Sequence, residues 1–194
     1  MKTDNKLKGR DLINTGIYSA IYFVILFAVA MLGMIPIFLP LLSVLVPILG
    51  GIPFMLFLTK VKKPGMIFIF AMIMGILMLL TGMGPWPLLT CAVAGILAEL
   101  CFRRGEYKSA KKAVLSYGLF SMWIFGNYLP LFTDYEGYFA QRADYGQAYI
   151  DAVSNLMPIW MAPVLLVACF VCGLIGGVLG RALLKKHFKK AGLA

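Results

Sequence analysis

This sequence reads as an all-α integral membrane protein, a single bundle of six transmembrane helices with both termini cytoplasmic. Composition, the spacing of apolar runs and the placement of Lys and Arg lead there. Of 194 residues, 61% are hydrophobic and 13% charged, with a mean hydropathy of +0.89. Soluble domains carry about 45–50% apolar and about 25% charged residues, and a body of this size could not hide the excess from water. A soluble enzyme, a disordered tail and a disulfide-stapled secreted module are thereby excluded.

About 20 apolar residues cross a hydrocarbon core as a helix, and the chain offers six such runs, near 12–34, 37–58, 65–80, 86–102, 110–132 and 158–184. The opening MKTDNKLKGR holds acids and an Arg but no cleavage-like small-residue site, so it reads as a cytoplasmic lead-in. The second run contains Pro40, Pro47 and Pro53 with Gly50 and Gly51. It is expected to kink or break, with the freed backbone groups partnered inside the protein. Together the spans form one transmembrane helical domain over residues 1–194.

Lys and Arg near span ends stay cytoplasmic. With six spans, 17 of the 18 basic residues fall on one side, in clusters around residues 2–10, 60–63, 103–112 and 181–190, and only Arg142 falls outside. The net charge of +10 is therefore a topology signal, not a sign of nucleic-acid binding. The outer side is built from a Pro-rich connection at Gly33 to Pro40, a second at Thr81 to Pro87, and a long loop between helices five and six, Thr133 to Met157. In that loop Phe139, Ala143, Gly146, Ile150, Val153 and Met157 recur at helical steps. They predict one short amphipathic helix over the outer mouth.

Candidates for chemistry are few. Ser–His and HExxH patterns are lacking, and the single His187 lies in the terminal basic cluster, so no enzyme is expected. Cys91, Cys101, Cys169 and Cys172 lie in or beside apolar runs and read as small hydrophobes, with no metal or other cofactor implied. Glu99 is the one acid within a span. Such a residue marks a functional site by default, but Arg103 lies four residues on, and a local ion pair snorkelling outward is the plainer expectation. Gly173, Gly176, Gly177 and Gly180 predict close helix packing within the chain. Gly16 and Ala20 give the first helix a similar small surface, which is expected to serve a partner.

Near the outer side, Trp86, Asn127, Tyr128, Asp134, Tyr135, Glu136 and Arg142 accompany further tyrosines. Singly the aromatics read as interfacial anchors; as a set they describe a concave pocket with aromatic walls and a few polar groups. The acids outnumber the one Arg there, a hint toward a polar or cationic ligand.

A small six-helix protein with both ends inside and a basic-flanked first helix resembles the substrate-binding S component of energy-coupling factor (ECF) transporters. The stretch Leu7-Lys8-Gly9-Arg10-Asp11-Leu12-Ile13-Asn14-Thr15-Gly16-Ile17-Tyr18-Ser19-Ala20 is similar, more narrowly, to the Trep_Strep group of bacterial integral membrane proteins, placed with those S components. The resemblance implies that Gly16 and Ala20 stand where an AxxxA-type motif docks on a transmembrane T component, with Gly in place of the first Ala. It implies that a vitamin-like or other micronutrient binds near Trp86, Asn127, Tyr128, Asp134, Tyr135, Glu136 and Arg142. It also implies delivery driven by two cytoplasmic ATPases on the T component, in a bacterial cytoplasmic membrane. The chain has no GxxxxGK[ST] loop of its own. The rival readings are a stand-alone transporter or channel, which needs a polar path that only Glu99 offers, and a non-transporting membrane scaffold.

Overall fold

The computed structural model describes residues 7–60, 62–140 and 145–190, the last five by backbone alone. Among them every regular element is helical. Helix α1 spans Gly9–Ala30 and runs into a 3-10 turn, Met31–Met34; α2 spans Phe38–Lys60, α3 Met66–Leu80 and α4 Trp86–Arg103. Next come α5, Ala110–Ser121, with a 3-10 segment at Met122–Asn127, and three short helices, α6 (Leu129–Thr133), α7 (Tyr135–Ala140) and α8 (Gln147–Leu156). The long α9, Met161–Lys190, closes the fold.

Four stretches are long and apolar enough, one by one, to cross a membrane: Gly9–Met34, Phe38–Lys60, Trp86–Arg103 and Met161–Lys185. At 15 residues α3 is shorter, about 22 Å at 1.5 Å per residue. The fifth predicted run differs most from expectation, being α-helix only as far as Ser121. Its 12 α-helical and 6 tighter 3-10 residues still reach about 30 Å, because a 3-10 turn rises about 2.0 Å per residue. Within the 3-10 segment Gly126 packs against the start of α4, where a side chain would overlap Thr90 and crowd the Pro87 backbone.

Of the kink or break expected in α2, no break is present. Pro47 and Pro53 lie inside one continuous helix, and lateral packing holds it there. Tyr117 on α5 donates its hydroxyl to the Pro47 carbonyl at 2.7 Å. Gly51 and Gly176 bring the backbones of α2 and α9 into direct contact, and a Cβ on either would overlap the other helix. Gly180 approaches Gly51 from the next turn. Glycine is required at this crossing for lack of room, the usual way membrane helices gain contact area.

Around the crossing sits an aromatic core. Phe54 stacks on Phe120 at 4.7 Å and meets Phe70 edge-on at 5.4 Å, while Phe57 lies 4.9 Å from Phe70. Tyr22 joins from α1 and Trp123 from the 3-10 segment, both fully buried. The four cysteines are free and buried. Most buried hydroxyls turn to backbone carbonyls: Thr15 to Asp11 at 3.0 Å, Ser121 to Tyr117 at 2.8 Å, and Ser116 across to Ala98 on α4 at 2.8 Å.

Side-chain bonds also define the two ends of the bundle. At one end Lys63 meets Asp11 at 2.5 Å, and Lys62, Lys108, Arg181 and Lys185 border one groove. The opposite end carries α6 to α8 as a cap. Two helices stand there in place of the one amphipathic helix expected, with Gly146 at a φ of +72° preceding α8. The predicted stripe nevertheless faces inward at Phe139, Val153 and Met157.

Replacing Gly176 with Leu should destabilise the protein by at least about 1–3 kcal/mol, the usual overpacking penalty. Gly16→Leu, where a side chain meets nothing within 4 Å, should shift stability by less than about 0.5 kcal/mol. Thermal unfolding in detergent micelles checks both.

Candidate functional site

At the capped end, the helix ends leave a cavity of about 470 Å³. Leu26, Phe27 and Met31 of α1 and its 3-10 turn form one wall, with Leu39, Leu42 and Val46 of α2 beside them. Met78, Thr81 and Met83 contribute from the end of α3, and Ile124, Asn127 and Tyr128 from the fifth run. Tyr138 and Tyr145 close it from the cap. The volume falls within the roughly 300–1,000 Å³ of small-molecule sites.

The lining is apolar with neutral polar groups, and no carboxylate or cation of the described residues borders it. Asn127 donates one amide hydrogen to the Ile124 carbonyl at 3.0 Å. Its carbonyl oxygen and second amide hydrogen are the most versatile polar groups on the wall. Thr81 returns its hydroxyl to Met78 at 2.9 Å. Deeper in the bundle Ser19 Oγ, Tyr22 Oη and Trp123 Nε1 are buried. Tyr22 precedes the lining Leu26 by four residues and Trp123 adjoins the lining Ile124.

The seven residues expected to bind a ligand separate into groups. Asn127 and Tyr128 line the cavity, although Tyr128 is only 3% exposed and donates to the Leu39 carbonyl at 3.0 Å. Trp86 and Asp134 border a smaller depression of about 130 Å³, which Tyr138 shares. Asp134 also accepts the Gly137 amide at 3.1 Å, starting α7. Tyr135 and Glu136 line neither space; Tyr135 ties α7 to α8 by donating to the Ile150 carbonyl at 2.6 Å, and Glu136 is exposed. Arg142 lies outside the described residues. Sequence reasoning passed over Met31, Met34, Met78 and Met83, whereas Tyr138 and Tyr145 belong to the outer tyrosines expected to wall a pocket. Methionines clustered beside both short connections were the available signal, since thioethers fill irregular apolar sites.

Two long-range bonds fasten the cap. Tyr149 donates to the Gly33 carbonyl at 2.6 Å, besides the Tyr128–Leu39 bond. Burial raises the Tyr135 and Tyr149 hydroxyls above the ordinary phenol range, so both remain donors at neutral pH.

The other expected sites lie at the basic end. Gly16 and Ala20 sit on the outward side of α1, with Ala20 exposed and open space over Gly16. Only 22% of the apolar stretch of that helix is buried. Glu99 does not pair with Arg103 as expected. Its carboxylate accepts the Gly65 and Ile67 amides at 2.9 and 3.0 Å and the Tyr107 hydroxyl at 2.7 Å. It thus caps the start of α3, where an anion satisfies orphan amides and the positive helix end. Burial, then the Glu99 bond, raises the Tyr107 hydroxyl above its ordinary range.

The sequence profile of the family described as hypothetical bacterial integral membrane protein (Trep_Strep) matches residues 9–190. The chain belongs to that family. Trep_Strep membership and the apolar helices together make it a multi-pass membrane protein. No curated protein matches the chain, and no solved structure does.

Glu99→Ala should lower stability by about 1–3 kcal/mol, because two amides and a hydroxyl lose their acceptor. Equilibrium unfolding with Arg103→Ala as a near-neutral control measures it. Tyr149→Phe should loosen the cap and speed amide exchange over α7 and α8, with α2 and α9 unchanged; hydrogen–deuterium exchange reads this directly.

Proposed function

We propose that this Trep_Strep protein is the substrate-specific S component of an ECF-type importer, spanning the membrane six times with both termini cytoplasmic. The observation that carries the reading is the cavity beneath a fastened cap, at the end opposite the basic clusters. Lys and Arg remain on the cytoplasmic side, so the cavity opens outward, where an importer meets its substrate. The unpartnered small surface at Gly16 and Ala20 lies near the basic end of α1 and suits a transmembrane T component carrying two ATPases.

The wall chemistry narrows the substrate to a small, uncharged, largely apolar micronutrient with one or two hydrogen-bonding groups for Asn127. A stand-alone channel is disfavoured by Glu99, the acid nearest membrane depth, since its carboxylate is occupied in capping α3.

Gly16→Leu with Ala20→Leu should abolish uptake by cells while leaving ligand affinity within about twofold. Asn127→Ala should weaken binding by about five- to tenfold, as expected for one lost buried hydrogen bond. Mass spectrometry of the compound co-purifying with the chain supplies the ligand for calorimetry. Uptake unaffected by the double leucine variant would rule out the docking assignment. Uptake by the purified chain alone in liposomes would replace the reading with a stand-alone transporter.

A further inference from the structure

The basic end carries a second concavity, a groove of about 380 Å³ between the ends of α2, α4 and α9 and the start of α5. Its floor is apolar: Leu58, Phe102 and Leu184, with Ala113 leaving room at the base of α5. Lys62, Lys108, Arg181 and Lys185 border it, all exposed and none with an ion-pair partner among the described residues. The nearby acids do not neutralise this rim. Glu99 is held by α3 and Tyr107, and Glu106 is exposed outside the groove lining. Ser109, the N-cap of α5, stands on the groove wall, so the positive end of that helix adds to the same field.

An apolar slot with a cationic mouth, at the end of a helical bundle in a bilayer, matches an amphiphile with one negative head. A free anion would leave the floor exposed, and an acidic protein segment would have to displace lipid from it. We propose that the groove binds an anionic phospholipid of the cytoplasmic leaflet, its phosphate among Lys62, Lys108, Arg181 and Lys185 and one acyl chain along Leu58, Phe102 and Leu184. Basic pockets between membrane helices recognise lipid headgroups in this way.

The test uses delipidated full-length protein in a neutral detergent, titrated with dioctanoyl phosphatidylglycerol, dioctanoyl phosphatidylcholine and inorganic phosphate, with binding read by native mass spectrometry. Phosphatidylglycerol should bind at least tenfold more tightly than phosphatidylcholine. Lys108→Gln with Arg181→Gln should weaken it by about thirtyfold, each basic group near an anionic lipid contributing a factor of about five. Arg104→Gln with Lys111→Gln removes equal charge outside the groove and should change it less than twofold. Ala113→Phe, which fills the slot while keeping every charge, should also weaken phosphatidylglycerol binding at least tenfold. Equal weakening by the two charge pairs would mean diffuse attraction and overturn the site. Equal binding of the two lipids, inorganic phosphate binding as tightly as phosphatidylglycerol, or an acidic protein retained in place of lipid would overturn it as well.

Discussion

A backbone carbonyl or amide in the hydrocarbon core has no water to turn to, and each one left unmatched costs several kcal/mol. The arrangement of this bundle follows from that constraint. Helix α2, with prolines at 47 and 53, lacks two of its own donors, which takes the helical partner from the Ser43 and Leu49 carbonyls. It is braced from the side by Tyr117, whose hydroxyl donates to the Pro47 carbonyl, and by the glycine contact to α9 that fixes how closely the two helices lie. Ser116 ties α5 to α4 through the Ala98 carbonyl by the same logic. Glu99 accepts the exposed amides of Gly65 and Ile67 at the start of α3, which gives it a structural role.

The same rule locates the places where polar groups remain available. Above the aromatic core the backbone turns, and side chains from five parts of the chain meet around the capped cavity. Tyr128 and Tyr149 are consumed in fastening the cap to Leu39 and Gly33. Asn127 is left as the wall's adaptable donor and acceptor. At the opposite end, charge rather than hydrogen bonding is in surplus, and it is spread around an apolar groove. The two concavities therefore differ in their lining, one neutral and one ringed by cations.

Much of this was legible in the sequence, for reasons that differ by residue. The apolar runs set the long helices to within a few residues, because bilayer thickness leaves little freedom in length. The glycines of α9 were readable as packing positions since nothing but close approach explains four of them in one apolar run. The continuity of α2 was not readable, because the Tyr117 brace comes from 70 residues away. Glu99 was misassigned for a similar reason. Arg103 is adjacent in sequence, whereas the amides of Gly65 and Ile67 arrive only with the fold. Among the candidate site residues, aromatic and charged types drew attention to Trp86, Asp134, Tyr135 and Glu136, yet methionines and aliphatics form most of the cavity wall. Periodicity cannot distinguish a Met that lines a cavity from one that fills a core.

The proposed uptake requires the basic end to face the cytoplasm while the capped cavity faces out. In a variant with Cys91, Cys101, Cys169 and Cys172 replaced by alanine, a single cysteine at the exposed Lys108 or Ala148 can be challenged with a membrane-impermeant maleimide. In intact bacterial cells Ala148→Cys should react and Lys108→Cys should react only after the membrane is opened. Reaction of both from the same side, or the reverse order, would contradict the arrangement on which the proposed uptake depends.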